Sequence, residues 1–305
     1  MSMKVDPAKP WPVMVLAHNE ERHIGACLDS IVDSGTSHPV EAYVMANACT
    51  DATEQIVRDY GRRYPQVSLV SIELGDKCNA WNVFIHSTVA QHCPDRETYF
   101  FMDGDAQSVR GSFDVMHAAL QREPHAHAAT APPMSGRNAA HDRDALLREH
   151  GLVANLYALR GTFVQRLARE GVRLPLKLEG DDGLLGALIK WDLDPKKNGF
   201  DNQRIVPCAA AGFTFESFAP TSLELWRTYW KRAVRYGRRR HEFMLLSRRL
   251  KSEGMAGLPR DITETYVDAA DIPLMWAGLY TLPNWVALRQ MRRVGSIINT
   301  VSRRP

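Results

Sequence analysis

Four short apolar segments occupy the first third of the chain, and each is followed by a polar turn and an amphipathic stretch. The segments are residues 12–17, 40–46, 67–72 and 98–102. Their length suits strands that are buried on both faces, and the stretches between them carry apolar residues at helical spacing. This alternation predicts an α/β fold in which a mostly parallel sheet is flanked by helices.

The residues just after each strand are the next constraint, because ligands of open α/β sheets bind at the carboxyl ends of the strands. These residues read AHNEE, NACTD, GDKCNAWN and DGD, so all four turns are rich in polar side chains. The chain contains neither GxGxxG after the first strand nor GxxxxGK[ST]. The sequence therefore predicts a nucleotide site without the glycine-rich cradle of a dinucleotide fold or a P-loop.

The pattern changes after residue 125, where Ala, His and Pro become frequent. We predict helices across 144–170, an apolar helix that follows an acidic turn in 178–191, and a long helix from residue 222 with a capping box at Thr221 and Glu224. The predicted organisation is one domain over residues 1–240, with a nucleotide half at 1–125 and an acceptor half at 126–240, and a basic helical extension over 241–305.

Charge is distributed unevenly along the chain. The formal net charge is +3, but residues 221–305 hold 16 basic and 7 acidic side chains, which leaves residues 1–220 with a net charge of −6. The last stretch, 289–305, has five Arg and no acid. A basic region of this kind suits an anionic partner: a nucleic acid, an anionic membrane surface or a phosphorylated small molecule.

The uncharged segment 272–288 comes closest to a membrane span, but Pro283 and Asn284 interrupt it. A span needs about 18 uninterrupted apolar residues. We interpret the segment as part of the core, with an interfacial position as the alternative. The five cysteines are an odd number without CxxC spacing, which argues against a disulfide framework and a zinc site. With no signal peptide recognisable at the first residues, we expect a cytoplasmic protein.

Asp103-Gly104-Asp105 directly follows the fourth apolar segment. Two carboxylates separated by one residue at a strand end can face one divalent cation, and Gly104 allows a tight turn. Oxygen ligands favour Mg²⁺ or Mn²⁺, which keep open positions for phosphate oxygens. The motif by itself equally suits a solvated turn, since Asp and Gly are typical turn residues.

The order of these motifs resembles the family 2 glycosyltransferases of the GT-A fold over roughly residues 12–240. The resemblance is carried by VMVLAHNEERHIGACLDSI, VMANACTDAT, LGDKCNAWN, FMDGD and the acidic cluster EGDDGLL. It implies an inverting, metal-dependent transfer of a sugar from a nucleotide diphosphate to an acceptor hydroxyl. UDP-sugars are the first candidates for the donor, and Mn²⁺ or Mg²⁺ would be the cofactor, held by Asp103 and Asp105.

The resemblance also implies which residues contact the donor. It assigns Ala17, Asn19 and Glu20 after the first strand, Asp51 after the second and Lys77 after the third. Each has a structural alternative. Asn19 and Asp51 are placed to cap helices, and a single Lys is commonly just solvated.

Further donor contacts are implied later in the chain. Asp103 and Gly104 belong to the metal motif, Gly161 lies in a loop expected beside the donor sugar, and Arg235 matches the Arg of a Gln-x-x-Arg-Trp motif. The chain has Arg and Tyr in place of Gln and Trp, so we expect a non-processive enzyme. An Arg there would offset the charge of the leaving diphosphate. The arginines at 238–240 and 248–249 are expected to form an exposed face, with an anionic membrane as its candidate contact.

The acidic cluster Glu179-Gly180-Asp181-Asp182 supplies the predicted catalytic group. Transfer to a hydroxyl needs a general base, and a carboxylate suits this task. The resemblance places the base at Asp182, with Asp181 orienting it and Leu185 as an apolar anchor. The alternative is that these acids decorate a helix N-terminus, where the helix dipole favours negative charge.

Two other functions would suit parts of this pattern. Nucleotidyltransferases use a similar sheet, but they usually carry a Gly-rich loop with Arg or Lys after the first strand, which AHNEE lacks. A catalytically silent module would use its basic helix for membrane or nucleic acid, and the intact DGD and GDD clusters argue against it. We therefore predict a glycosyltransferase that does not bind nucleic acid. Its hydroxyl acceptor, whether saccharide, lipid-linked or small molecule, is not identified by any motif.

Overall fold

A computed structural model describes residues 9–216, 223–274 and 276–302. Its main sheet has seven strands in the order β3-β2-β1-β4-β7-β6-β8, and β5 pairs with β9 in a second, two-stranded sheet. The strands are β1 (Trp11–Ala17), β2 (Val40–Asn47), β3 (Val67–Ile72), β4 (Thr98–Asp103), β5 (Ala106–Ser108), β6 (Ala128–Thr130), β7 (Leu156–Arg160), β8 (Ile205–Pro207) and β9 (Phe213–Phe215).

Helices cover both faces of the main sheet. The α-helices are α1 (Ile24–Val32), α2 (Thr53–Arg63), α3 (Lys77–Val83), α4 (Val89–His92), α5 (Ser112–Arg122), α6 (Ala139–Glu149), α7 (Gly161–Arg169), α8 (Asp181–Lys190), α9 (Leu223–Glu253) and α10 (Thr281–Ser302). A π-helical turn, Phe84–Thr88, joins α3 to α4, and 3₁₀ turns lie at Asn202–Arg204, Gly254–Gly257, Ile262–Asp271 and Gly278–Tyr280. The capping box predicted at Thr221 lies outside the described residues.

The sheet confirms the predicted α/β, mostly parallel architecture. Strands β3, β2, β1 and β4 are mutually parallel, and their limits agree with the four apolar segments to within one residue. The strands have apolar side chains on both faces because one apolar cluster packs on each side of the sheet. The carboxyl ends of these parallel strands therefore meet at one edge, where the polar turns lie.

Strand β7 was not predicted, because we expected only helices across 144–170. It pairs antiparallel with both β4 and β6, with Thr98 of β4 opposite Arg160. A five-residue apolar run has no periodicity that separates a strand from a buried helix. The run forms a strand because it pairs with β4 and β6, which are distant from it in sequence. Because β7 runs against β4, its carboxyl end lies at the edge opposite Asp103.

The division predicted at residue 240 does not correspond to a structural boundary. Residue 240 lies inside the continuous helix α9. Beyond it, Leu246, Ile262 and Met291 pack into the same apolar cluster as Trp81 of the nucleotide half. The predicted C-terminal helical extension is thus confirmed, and its apolar side chains pack into the main core.

The interpretation of 272–288 as core is wrong for most of its length. Ile272 and Leu288 are buried, but the large apolar residues between them lie mainly on the surface. The segment contains the start of α10, where Thr281 accepts a hydrogen bond at Oγ1 from the backbone N–H of Ala277, 2.8 Å away. Among the described residues, no helix has the length and apolar character needed to cross a membrane.

Gly161 begins α7 in a place without room for a side chain. Its N–H donates to the carbonyl of Glu97 at 2.7 Å, and a Cβ on Gly161 would lie 1.7 Å from the carbonyl oxygen of Arg96. The glycine therefore lets the α7 N-terminus approach the segment that leads into β4.

Gly161→Ala is expected to lower the free energy of unfolding by about 1–3 kcal/mol, because the backbone must shift to admit the methyl group. Gly199→Ala is the matched control, since a Cβ there would meet nothing within 4 Å. Urea unfolding of both variants measures the effect. A Gly161→Ala protein with unchanged stability and weakened donor binding would instead support a position beside the donor.

Candidate active site

Lys77 links the metal motif to the acidic cluster. It is the first residue of α3, and its Nζ lies 3.2 Å from Oδ1 of Asp103 and 3.4 Å from Oδ2 of Asp181. Burial by itself would lower the pKa of Lys77, but the carboxylates of Asp103, Asp181 and Asp182 outweigh it and raise the pKa. The side chain is thus a permanent cation between the end of β4 and the start of α8, so the alternative of a merely solvated Lys is wrong.

Aromatic residues form a rigid floor under this contact. Tyr157 of β7 stacks on Phe101 of β4 with ring centroids 4.7 Å apart, and the Trp81 indole N–H donates to the Tyr157 hydroxyl at 3.0 Å. All three side chains are buried. The floor holds β4, β7 and α3 in fixed positions, so the end of β4 and the first turn of α3 remain close together.

Three carboxylates approach one another at the ends of β1 and β4. Burial raises the pKa of Asp103, Lys77 opposes this shift, and Asp181 and Asp105 add to it. Burial also raises the pKa of Glu20, His23 opposes it through a hydrogen bond, and the charges of Asp105 and Asp103 add to it. Asp105 itself is exposed. These acids therefore form a negative cluster, although no three of the described residues are arranged as a preformed metal cage.

The turns after β1 and β2 are joined by hydrogen bonds to Asn19 and Asp51, two of the residues predicted to contact the sugar donor. Oδ1 of Asn19 accepts a hydrogen bond from the N–H of Thr50 at 2.8 Å, and Oδ2 of Asp51 accepts one from the N–H of Glu21 at 3.1 Å. Asn19 has φ 56°, in the left-handed region that Asn tolerates. His23 and Ala52 occupy the N-cap positions of α1 and α2, but Oδ1 of Asp51 accepts a hydrogen bond from the N–H of Thr53, the first residue of α2, at 3.0 Å, so Asp51 also caps that helix. Both side chains shape the turns that would face a donor.

Glu20 is tied to a different part of the chain through His23. The Nδ1 of His23 lies 3.0 Å from Oε2 of Glu20, and its Nε2 lies 3.2 Å from Oε2 of Glu216. The hydrogen bond to Glu20 and the one to Glu216 raise the pKa of His23, against the effect of burial. The imidazole therefore holds the turn after β1 to the strand end at β9.

Three residues assigned to the donor do not fit that role. Ala17 has no exposed surface. Gly104 is buried, and a Cβ on it would lie 2.9 Å from the carbonyl oxygen of Leu16, so the glycine serves the close approach of β4 to β1. The prediction for Gly161 is wrong, because it follows β7 at the sheet edge opposite Asp103. Gly104 and Gly161 match family motifs in sequence, but close packing against neighbouring backbone explains why each is a glycine.

The predicted base, Asp182, lies in the first turn of α8 and is bound by Arg239. Its Oδ1 accepts hydrogen bonds from Arg239 Nη2 at 2.6 Å and from the N–H of Gly183 at 2.7 Å. Within the described residues, Oδ2 makes no hydrogen bond or ion pair. Asp182 is therefore oriented through Oδ1 alone, with Oδ2 unpaired among the described residues.

Arg235 does not contact the metal motif. Its Nε lies 3.2 Å from Oε2 of Glu179, and its side chain is 68% exposed. Arg238 also pairs with Glu179, at 3.5 Å. The exposed face that we predicted at 238–240 is thus wrong for Arg238 and Arg239, which bind the acidic cluster, and holds for Arg240. Residues 235, 238, 239 and 242 lie on adjoining faces of α9, so one side of this helix meets the acidic cluster.

Glu242 is the buried link that sequence reasoning missed. It has no exposed surface, and it accepts hydrogen bonds from the N–H of Glu179, at 3.0 Å, and from the hydroxyl of Tyr266. Burial raises the pKa of Glu242, while these hydrogen bonds oppose the shift. Glu242 fixes the segment that enters α8 to α9, and so helps to set the position of Asp182.

A groove of about 520 Å³ lies between α8 and α9 beside Asp182. It is lined by aromatic and basic side chains, among them Lys190, Phe200, Tyr236, Arg239, Arg240 and Phe243. Lys190 Nζ lies 5.2 Å from the centre of the Phe200 ring. This α8–α9 groove is thus apolar and positively charged, and it opens next to the Asp182 carboxylate.

The fold and site together define a class: nucleotide-sugar transferases of the GT-A type. The profile described as "Glycosyltransferase like family 2" matches residues 8–257. The chain therefore belongs to this family and is a glycosyltransferase, which favours this function over a nucleotidyltransferase or a silent binding module.

Solved structures with the same fold cover most of the chain. The mannosyltransferase PcManGT from Pyrobaculum calidifontis, in complex with GDP-Man and Mn²⁺, is 17% identical with a TM-score of 0.57 and covers 99% of this chain and 90% of its own. TarS 1-349 of S. aureus with UDP is 14% identical with a TM-score of 0.51, covering 96% and 92%. Glucosyl-3-phosphoglycerate synthase from Mycobacterium tuberculosis is 15% identical with a TM-score of 0.50, covering 82% and 81%. At these identities the likeness shows the fold alone.

A sequence relative matches a short stretch only. The uncharacterised protein Rv1520 of Mycobacterium tuberculosis (strain H37Rv) is 36% identical over 55 residues, which is 18% of this chain and 16% of that protein. The chain thus matches a small part of that relative's length.

Proposed function

We propose that the chain transfers a sugar from a nucleotide diphosphate, with UDP-sugars as first candidates, to an acceptor hydroxyl with inversion at the anomeric carbon. The observation that carries the proposal is the pair of contacts made by Lys77, to Asp103 at the donor edge and to Asp181 beside the base. This pair joins the two acidic motifs into one site.

Asp103 and Asp105 would hold Mn²⁺ or Mg²⁺ in this proposal. The ligand atoms suit a hard cation because they are carboxylate oxygens. A cation would also relieve the mutual repulsion among Asp103, Asp105 and Glu20. Lys77 already supplies one positive charge there, and diphosphate oxygens and water would complete the coordination. When bound, the metal offsets charge on the departing diphosphate. The PcManGT structure holds Mn²⁺ together with its donor, which supports this assignment.

Asp182 acts as the general base. Its Oδ2 accepts the proton of the acceptor hydroxyl while the hydroxyl oxygen attacks the anomeric carbon and the bond to the diphosphate breaks. Arg239 and the N–H of Gly183 hold Oδ1 and so fix the direction of Oδ2. Asp181 stays paired with Lys77 and orients the first turn of α8. Direct attack from the face opposite the leaving group produces inversion.

Arg235 serves the leaving group only indirectly in this arrangement. It pairs with Glu179, while Lys77 is the cation next to Asp103. We therefore assign the stabilisation of the diphosphate first to Lys77, and to Arg235 only if its exposed side chain leaves Glu179 when the donor binds. The Arg and Tyr at the motif's Gln and Trp positions support a non-processive reaction.

The α8–α9 groove would receive the acceptor, because it adjoins Asp182. Its aromatic rings suit the faces of a sugar or another apolar group, and Arg239, Arg240 and Lys190 suit an anionic substituent. We therefore propose an acceptor that has a hydroxyl near the base and carries negative charge. The glucosyl-3-phosphoglycerate synthase structure contains phosphoglyceric acid, an acceptor-sized anion, which supports this chemistry in the same fold.

Thermal unfolding with UDP-, GDP-, dTDP- and CMP-sugars, each with and without Mn²⁺, tests the donor and the metal. A ligand at 100 times its dissociation constant stabilises the folded state by about 2.7 kcal/mol, which raises the melting temperature by several degrees. We expect one nucleotide class, UDP first, to produce this shift and Mn²⁺ to increase it.

Asp105→Asn should abolish the part of the shift that depends on Mn²⁺. Asp142→Asn, an exposed acid in the first turn of α6, is the matched control and should behave as the wild type. A melting-temperature shift with nucleotide sugar that is unchanged in the presence of a chelator would contradict the metal role of Asp103 and Asp105. No shift with any of the four donors would contradict the proposed function, and the anomeric configuration of the product tests inversion.

A further inference from the structure

An apolar surface is exposed around the start of α10. Its members are large side chains between two buried residues, Ile272 and Leu288: Leu274, Trp276, Leu279, Tyr280, Leu282 and Trp285. Trp276 is 84% exposed and Leu279 is 96% exposed. A soluble protein rarely exposes so many large apolar residues within one short segment unless they contact another molecule.

The segment is held in place by α9. A Cβ on Gly237 would meet the Asn284 side chain at 2.7 Å, so α10 packs closely there. The ring Nε2 of His241 lies 3.3 Å from the carbonyl oxygen of Asn284, and Arg238 donates to Gln290 Oε1 at 2.7 Å. The start of α10, which carries Leu282 and Trp285, is therefore fixed against α9.

Basic residues accompany the apolar surface. No acid occurs from residue 272 to 302, and the guanidinium of Arg289 lies 5.4 Å from the centre of the Trp285 ring. On α9, residues 225–241 contain seven Lys or Arg and no acid; Arg235, Arg238 and Arg239 pair with Glu179 and Asp182, which leaves four of the seven for an anionic partner. Apolar and aromatic side chains flanked by cations match the headgroup layer of an anionic bilayer, where Trp and Tyr sit at the interface and Lys and Arg meet lipid phosphates.

We infer that the surface formed by Leu274, Trp276, Leu279, Tyr280, Leu282 and Trp285 docks the protein on an anionic phospholipid membrane. Leucine side chains enter the acyl boundary, and the cations beside this surface, Arg289 of α10 among them, face the phosphates. A nucleic acid would use the cations but gives no reason for exposed leucines. This inference stands on the surface alone and does not depend on the proposed function.

Docking would also orient the active site. Gly237 faces α10, whereas Arg239, two residues later and on nearly the opposite side of α9, binds Asp182. The base and α10 therefore lie on opposite sides of α9. If the proposed function holds, docking through α10 would fix the orientation of the α8–α9 groove relative to the membrane.

Sedimentation of the full chain with phosphatidylcholine vesicles, with and without phosphatidylglycerol, tests the inference. We expect binding that requires phosphatidylglycerol and falls by at least about tenfold in Trp276→Ala/Leu279→Ala, since each buried apolar side chain contributes about 1.5–3 kcal/mol. Leu74→Ala is the matched control, because Leu74 is 52% exposed at the turn after β3 and should leave binding unchanged.

Three results would overturn the inference. Equal binding of wild type and double variant would show that the surface is not the contact. Absence of vesicle binding, with dimers that dissociate in the double variant, would assign the surface to a second copy of the chain. The third result is absence of vesicle binding together with salt-sensitive binding to RNA that is unchanged in the double variant. It would show that the basic residues bind a nucleic acid and that the apolar surface does not take part. None of these measurements requires transferase activity, so failure of the proposed function would remain distinguishable.

Discussion

Asp182→Asn is expected to lower the rate of sugar transfer by about 10²–10⁴-fold, the usual contribution of a general base. Asn has almost the same shape and keeps an oxygen that can accept hydrogen bonds from Arg239 and Gly183, so the first turn of α8 should stay in place. The amide cannot take a proton from the acceptor hydroxyl. The loss should therefore appear in kcat, with donor binding and stability close to the wild type.

The controls separate the base from the general effect of removing a charge. Asp142→Asn removes an exposed acid from the first turn of α6 and should leave the rate unchanged. Asp181→Asn removes one partner of Lys77 and should weaken donor binding more than it slows the chemical step. A normal rate for Asp182→Asn would contradict the assignment of the base, and a stronger effect of Asp181→Asn on kcat would move the base to that residue.

The sheet and its polar edge could be predicted because both depend on local pattern. Short apolar runs with turn residues after them define parallel strands, and parallel strands bring their carboxyl ends together whatever their order. This is why Lys77 and Asp103, which lie in separate motifs, come together, whereas Asp181 reaches Lys77 from the start of α8, which follows no strand of the parallel set.

Features that depend on distant partners could not be predicted. Strand β7 reads as a helix segment until β4 and β6 are known to lie on either side of it. Gly161 carries a motif that suits a donor loop, yet the backbone of Arg96 explains it. The arginines at 238 and 239 look like a solvated face because their acidic partners are more than fifty residues earlier in the chain.

Glu242 contributes both to the stability of the fold and to the position of the candidate active site, and no motif indicates it. A lone Glu inside a basic helix looks like an ordinary surface charge, but this one is fully buried and receives two hydrogen bonds from other segments. It ties α9 to the entry of α8 and to the 3₁₀ turn at Ile262–Asp271. The basic helix thus positions the active site through its single internal acid as well as through Arg239.

Glu242→Ala is therefore expected to lower the free energy of unfolding by about 3–5 kcal/mol, because it leaves the Glu179 N–H and the Tyr266 hydroxyl without an acceptor in a buried position. Glu253→Ala, an exposed acid at the end of the same helix, is the matched control and should stay within about 0.5 kcal/mol of the wild type. Urea unfolding measures both. A small effect at Glu242 would mean that water or a neighbouring group replaces the carboxylate.

Glu242→Gln separates the charge from the hydrogen bonds and predicts a pH dependence with a definite sign. Because the pKa of Glu242 is raised in the folded protein, the folded state binds the proton more tightly than the unfolded state does. Its contribution to stability is then fully present below the ordinary glutamate pKa and is lost as the pH rises through the folded pKa. Gln resembles the protonated acid and does not titrate. The free energy of unfolding of the wild type should therefore fall relative to that of Glu242→Gln between acidic and neutral pH. If the difference in free energy between the two proteins instead stays constant or changes in favour of the wild type, the hydrogen bonds from Glu179 and Tyr266 stabilise the charged carboxylate.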